Sequence, residues 1–195
     1  MTSGDARKYV ACPRQPPPPN LSPAKSPGAF RIIIPAYPAF NIYSGIANKT
    51  TALGPVCIAT VINKLENWDV EVIDENNLRL HGPQDALGGA DHKLLQKIRP
   101  ADVVGLYGGL TSTIPRLYQL VDFYKKKGVK VLAGGQHFVD ENIKEALDSG
   151  IDYVVLGEGE LTIKELVKAI IEDKDVSVIK GIAYRRGKQN IITES

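Results

Sequence analysis

At 195 residues the chain is long enough for one domain with a proper core, and 43% hydrophobic against 24% charged residues is ordinary for a folded protein. A formal net charge of +2 gives no grounds for a nucleic-acid or membrane partner, and no apolar run approaches the ~20 residues of a membrane span. Cys12 and Cys57 are too few and too far apart for a disulfide scaffold or a zinc site; with no apolar signal region at the N-terminus, they point to a reducing, cytoplasmic setting.

Residues 1–29 hold seven of the thirteen prolines, Pro16 to Pro19 among them, and few apolar side chains. This composition predicts a disordered tail, with a polyproline ligand as the other reading, and order is expected from Phe30. Arg31-Ile-Ile-Ile-Pro35 reads as a buried parallel strand. A loop rich in aromatic and small residues follows, Ala36 to Gly45. Thr50 or Thr51 is expected to cap a helix running to Asn67, with Leu53, Val56, Cys57, Thr60, Val61 and Leu65 inward. Trp68 to Ile73 is the second strand and ends in Asp74-Glu-Asn-Asn77. Residues 78–90, with Gly82-Pro83 and Gly88-Gly89, read as an irregular excursion, and Asp91 to Ile98 suit a short helix.

Three further strands follow: Asp102 to Tyr107, Val129 to Ala133 and Asp152 to Leu156. The helix between the first two starts near Thr113 and Pro115, buries Leu117, Leu120, Val121 and Tyr124, and stops at Gly128. The next is capped by Asp140, carries Ile143, Ala146 and Leu147, and stops at Gly150. A last helix over Leu161 to Glu172 buries Ile163, Leu166, Val167 and Ile170. Gly181 to Tyr184 and Gln189 to Ile192 suggest a terminal hairpin. Alternating strands and helices imply an α/β fold: a Rossmann-like or flavodoxin-like open parallel five-stranded sheet with helices on both faces, order 2-1-3-4-5 by analogy.

In such a sheet the loops after successive strands emerge at the carboxyl edge, where open α/β folds bind ligands. Here they are Gly108-Gly-Leu-Thr-Ser-Thr113, Gly134-Gly-Gln-His137 and Gly157-Glu-Gly-Glu160. Glycine lets a backbone approach a bulky partner, and Thr and Ser add short hydrogen-bonding groups. A large flat ligand, or one with phosphates, is expected there. Gly157-Glu-Gly-Glu-Leu-Thr162 lacks the third glycine of a dinucleotide fingerprint and follows the last strand, and Glu158 and Glu160 would repel a pyrophosphate. No GxxxxGK[ST] loop and no G-x-S-x-G elbow occur. Among the three histidines, His81 and His92 read as solvated, whereas His137 either lines a ligand or packs locally.

These three loops in order, with Asn41 to Gly45, Thr50 to Pro55, Val70 to Asn76 and Gly181 to Tyr184, resemble the cobalamin-binding domain of cobalamin-dependent radical SAM proteins. The resemblance covers Phe30 to Thr193. It implies a corrin ring over the carboxyl edge, with Tyr37 to Gly45, including Tyr43 and Ser44, beneath it. It implies Gly108, Leu110, Thr111, Ser112 and Thr113 where the nucleotide tail passes the third strand. Gly134 and Gly135, with His137 beside them, would let the tail slide past the fourth, and Gly157, Glu158 and Gly159 would close its pocket.

Related methyl-carrier domains have a D-x-H-x-x-G motif whose His ligates cobalt. The loop after the first strand has no His here, and Asp74 is seven residues from His81 in another loop. The resemblance therefore implies cobalt without a protein ligand and with its benzimidazole displaced. Two cysteines cannot supply the C-x-x-x-C-x-x-C run that holds a 4Fe-4S cluster. S-adenosylmethionine and that cluster are thus expected on a radical SAM half absent from these 195 residues, a partner in cis or in trans, and the chain is not expected to be catalytic alone. Two other readings stay open: an enzyme domain binding a dinucleotide or nucleotide sugar, and an interaction module without ligand.

Overall fold

The computed structural model describes residues 28–38, 45, 49–77, 82–85 and 89–194. The elements run β1 (Gly28–Ile34), α1 (Leu53–Asn63), β2 (Trp68–Asp74), α2 (His92–Ile98), β3 (Val103–Tyr107), a 3-10 turn (Thr111–Thr113), α3 (Ile114–Lys125), β4 (Lys130–Gly134), α4 (Glu141–Asp148), β5 (Tyr153–Val155), α5 (Gly159–Glu172), β6 (Ile182–Arg186) and β7 (Gln189–Ile192). The strands form one sheet in the order β2-β1-β3-β4-β5-β6-β7. The first five are parallel in the order expected, and β6 and β7 pair antiparallel. The terminal hairpin is thus no appendage: β6 pairs with β5 and extends the five-stranded sheet to seven among the described residues.

The first strand starts at Gly28, two residues before Phe30. Gly28 and Ala29 already pair with Trp68 and Asp69. The Gly28 amide donates to Asn67 O and the Ala29 amide to the Asp102 carboxylate, which ties the strand's start to its neighbours. The proline-rich residues 1–27 lie outside the described residues, as does His81.

The sheet separates two cores. On one face α3 and α4 pack Leu117, Leu120, Val121, Tyr124, Ile143, Ala146 and Leu147 against Ile33, Val104, Leu106, Val131 and Ala133. These are the stripes that the 3.6-residue period marks. On the other face α1 and α5 pack Ala59, Ile62, Ile163, Leu166 and Val167 against Phe30, Ile32, Val103 and Leu132.

Helix α1 departs from expectation. It ends at Asn63, its N-cap is Ala52, and Thr51 bonds Asp74 Oδ2 instead of capping. Its buried residues are Pro55, Ala59 and Ile62, while Leu53, Val56 and Thr60 face outward and Cys57 is half-buried. Apolar residues run nearly all round this helix, so two stripes compete and only packing selects one. We expect Ile62→Ala to cost about 2 kcal/mol or more and Leu53→Ala to stay within about 0.5, read by urea unfolding; Ile62 is 0% and Leu53 74% exposed. Asp91 does cap α2, accepting from the Leu94 amide at 2.9 Å. Asp140 makes no side-chain cap at α4, where its φ is +46°; Asn142 bonds His137 O instead.

Arg31, read as part of an apolar run, is fully buried beneath α2 and α3. Its guanidinium donates to Glu71, Gln96, the Tyr124 hydroxyl, and the carbonyls of Leu95 and Arg99. A buried cation survives because each N–H finds an acceptor. From there the network runs on: Tyr124 lies 2.8 Å from His92 Nδ1, and His92 Nε2 lies 3.0 Å from Glu75. With Tyr124 donating to Nδ1 and Nε2–H donating to the carboxylate, all groups in the relay are satisfied. His92 is therefore buried, not solvated.

Candidate functional site

The site begins with an alternation. Successive residues of a strand face opposite sides, and in-register neighbours share a side. On the α1/α5 face the row across the sheet reads Ile32, Gly105, Leu132, and the row nearer the carboxyl edge reads Tyr107, Gly134, Val155. Gly105 and Gly134 put no side chain of their own on this face of the two central strands, and the Phe30 ring packs over Gly105, 3.1 Å from where a Cβ would stand. The resulting trough lies under the first turns of α1 and α5, which contribute Gly54, Pro55, Ile58, Gly159, Glu160 and Ile163. Together they enclose a cavity of about 520 Å³ open at the carboxyl edge, a size suited to a cofactor. Its floor is apolar: Phe30, Ile32, Leu132, Val155 and Ile163. Gln136, Glu158 and Glu160 stand at the mouth, the first two exposed.

Of the residues singled out from the sequence, Gly134, Gly135, Gly157, Glu158 and Gly159 line this cavity. Gly134 tolerates an added Cβ, whose nearest neighbour would be Val155 O at 3.4 Å. Gly135 does not. Its φ is +121°, and a Cβ would lie 2.7 Å from Gly108 O. The Gly108 amide donates to Gly134 O and its carbonyl accepts from the His137 amide, so the two loops are stapled backbone to backbone. The need for glycine at 135 is therefore set by the protein itself, not only by a ligand. Gly108 is likewise hemmed by the Phe138 ring, 2.5 Å from an added Cβ.

Leu110, Thr111, Ser112 and Thr113, on the segment that leads into α3, and His137, in the loop after β4, are not among the residues that line the cavity. Thr111 and Ser112 are exposed. Thr113 is buried, and its hydroxyl donates to Leu110 O at 2.8 Å. Thr111 Oγ1 is 3.2 Å from His137 Nδ1, whereas His137 Nε2 is buried without a partner. A buried ring nitrogen left unpaired is costly, and His137 is not part of the cavity lining. Tyr43 and Ser44 lie outside the described residues.

The loop after β1 is clamped by the loop after β2. The Ala36 amide donates to Glu75 Oε2 and the Tyr37 amide to Asn76 Oδ1, while Asn76 Nδ2 donates to Pro35 O. Glu75 is 1% exposed and also accepts from His92 and Arg116. Burial opposes its charge, but the hydrogen bonds from His92 and Arg116 outweigh that and hold its pKa down to about 2.

Sequence reasoning missed Gly105, Gly54, Ile58 and the Glu75 clamp. A lone glycine inside a strand is itself a sign of close backbone approach, and Gly105 carries that sign. Nothing local marks Glu75, whose partners come from the loop after β1, from α2 and from α3.

A family model described as the B12 binding domain matches residues 44–167, more than half of the chain. The chain belongs to the B12-binding domain family. This B12-binding domain is 33% identical over 138 residues to an uncharacterized methyltransferase of Pyrococcus horikoshii, covering 68% of the chain and 28% of that protein. It is 34% identical over 93 residues to the anaerobic magnesium-protoporphyrin IX monomethyl ester cyclase of Synechocystis, covering 45% of the chain and 18% of the cyclase. Its fold matches the radical S-adenosylmethionine methyltransferase TsrM from Kitasatospora setae, solved with cobalamin and a 4Fe-4S cluster, with a TM-score of 0.66 and 19% identity, over 86% of this chain and 29% of TsrM. The cobalamin-dependent radical enzyme OxsB matches with a TM-score of 0.62 and 16% identity, over 87% of this chain and 22% of OxsB. The chain spans less than a third of each of these proteins.

Cobalamin is the cofactor of such a domain, and the residues present fit it: a glycine-cut trough with an apolar floor opens at the edge where the corrin is expected. Among the described residues no His/Cys/Asp/Glu cluster could hold a metal ion, and no helix is long and apolar enough to cross a membrane.

Proposed function

We propose that this domain holds cobalamin with the nucleotide tail in the Gly105/Gly134 trough and the corrin over the carboxyl edge. The observation that carries the proposal is the trough itself, with two glycines on one face of adjacent central strands, Gly105 beside Leu132 and Gly134 beside Tyr107. Gly134, Gly157 and Gly159 give the tail room. The exposed Thr111 and Ser112, with His137 beside them, would meet its polar groups. Ala36 and Tyr37, held by Glu75 and Asn76, open the segment that would face the underside of the ring; Tyr43 and Ser44, which belong to it, lie outside the described residues.

That loop contains no histidine. Of the described histidines, His92 is committed to Tyr124 and Glu75, and His137 belongs to the loop after β4. These assignments support cobalt without a protein ligand and with the benzimidazole off the metal. The cofactor would supply a cobalt centre able to carry a methyl group. The domain's own share is to bind and orient the corrinoid and keep water from its tail. A radical SAM partner domain, in cis or in trans, with S-adenosylmethionine and a 4Fe-4S cluster, would complete a methyltransferase-type enzyme. The setting is cytoplasmic, where the free thiol of Cys57 stays reduced.

Mixing the protein with hydroxocobalamin, desalting and recording the visible spectrum tests this reading. Retained corrinoid with a base-off spectrum is expected. Gly134→Leu fills the trough and is expected to abolish retention while leaving the circular dichroism and urea midpoint close to wild type. A base-on spectrum would overturn the ligation; no retention by the wild type would overturn the site.

A further inference from the structure

The chemistry of the trough floor is one-sided. Phe30, Ile32, Leu132, Val155 and Ile163 are all hydrocarbon. The strand backbone beneath them is taken up in the ladders joining β1, β3, β4 and β5, so it offers no free donor or acceptor. The polar side chains that line the cavity stand at its mouth: Gln136, Glu158 and Glu160 come from the loops and first helical turn beyond the strand ends, and Tyr107, the last residue of β3, turns its hydroxyl toward Gly109 in the loop beyond. A tail entering from the mouth therefore meets polar groups first and hydrocarbon last.

From this we infer that the domain selects corrinoids by the base at the end of their tail, taking an apolar aromatic base, benzimidazole or phenol in type, over a purine. The inference rests on the corrinoid reading above. An adenine placed on the floor buries an exocyclic amine and ring nitrogens with no partner. An unpaired buried polar group weakens binding by roughly tenfold or more. A dimethylbenzimidazole off the metal leaves a single ring nitrogen to bury, against adenine's amine and several ring nitrogens, and otherwise presents methyl groups and ring edges to the same hydrocarbon. A phenol-type base has no nitrogen to ligate cobalt, and it is accepted equally because the domain needs the tail as a plug.

Equilibrium dialysis of the full chain against four corrinoids tests this: one each with a benzimidazole, a phenolic and an adenine base, and cobinamide, which has no tail. The benzimidazole and phenolic forms are expected to bind within about threefold of one another, and the adenine form roughly tenfold or more weaker. Val155→Thr, which puts a hydroxyl on the floor at nearly constant volume, is expected to narrow that gap from the adenine side. Equal binding of the adenine and benzimidazole forms would overturn base selection and leave the corrinoid site standing. Cobinamide binding as tightly as cobalamin would overturn the tail in the trough, and selection with it. Failure of all four to bind would overturn the corrinoid reading itself.

Discussion

Glu75→Ala is expected to cost about 3–5 kcal/mol of folding stability, the range for breaking a buried ion pair from one side. The carboxylate is 1% exposed. It accepts from Arg116 at 2.7 Å, from His92 at 3.0 Å and from the Ala36 amide at 2.9 Å. Its removal leaves all three without that partner beneath the site. The same carboxylate predicts an acid dependence. Its pKa lies at about 2 in the fold against an ordinary 4.5, so its contribution is complete above about pH 4.5 and lost as pH falls toward 2. That contribution is on the order of 3 kcal/mol. Urea midpoints measured from pH 6 downward should fall steeply for the wild type and more shallowly for Glu75→Gln. Parallel curves would show that Glu75 is not the titrating group. Because Glu75 also fixes the Ala36 amide, both variants should retain less corrinoid even at pH 7.

Gly135→Val is the second large effect, expected at about 2–5 kcal/mol from backbone strain and overpacking together. The atoms an added Cβ would strike are the oxygen and carbon of Gly108, at 2.7 and 2.8 Å. They are backbone, so no rotamer change relieves the clash, and the staple between the loops after β3 and β4 must open. Corrinoid retention and the urea midpoint should drop together. Gly134→Leu, one residue earlier, should lose retention alone. If both variants bind normally, the trough is not the site. If Gly134→Leu is as destabilised as Gly135→Val, the trough is packed more tightly than its 520 Å³ implies.

Adjacent glycines with different reasons for being glycine show where sequence reading stops. Both stand in one Gly-Gly-Gln-His run, and a backbone that must approach something explains either. The approach at 135 is to the protein's own Gly108, four residues past Val104 in sequence but across a strand pair in space. At 134 a Cβ would stand in ordinary contact with Val155, at the edge of the cavity. A similar limit applies to Thr113: its place in a Thr-Ser-Thr loop suggested ligand contact, yet its hydroxyl turns back to Leu110 O. Arg31 and His92 were hidden for another reason. A buried charge is tolerated only through partners from several elements, and no local pattern foretells them.

By itself the sequence determined the alternation of short apolar strands with amphipathic helices, and hence a parallel sheet whose glycine-bearing loops share one edge. Those features depend on local periodicity and on the handedness of crossovers, both legible residue by residue. Only the tertiary structure decided which face of the sheet bears the cleft. That choice depends on register, which sets Gly105 beside Leu132 and Gly134 beside Val155. It depends equally on α1, apolar on nearly every side, turning Pro55, Ile58 and Ile62 toward the sheet and leaving Leu53 in solvent. Packing, not periodicity, broke that tie.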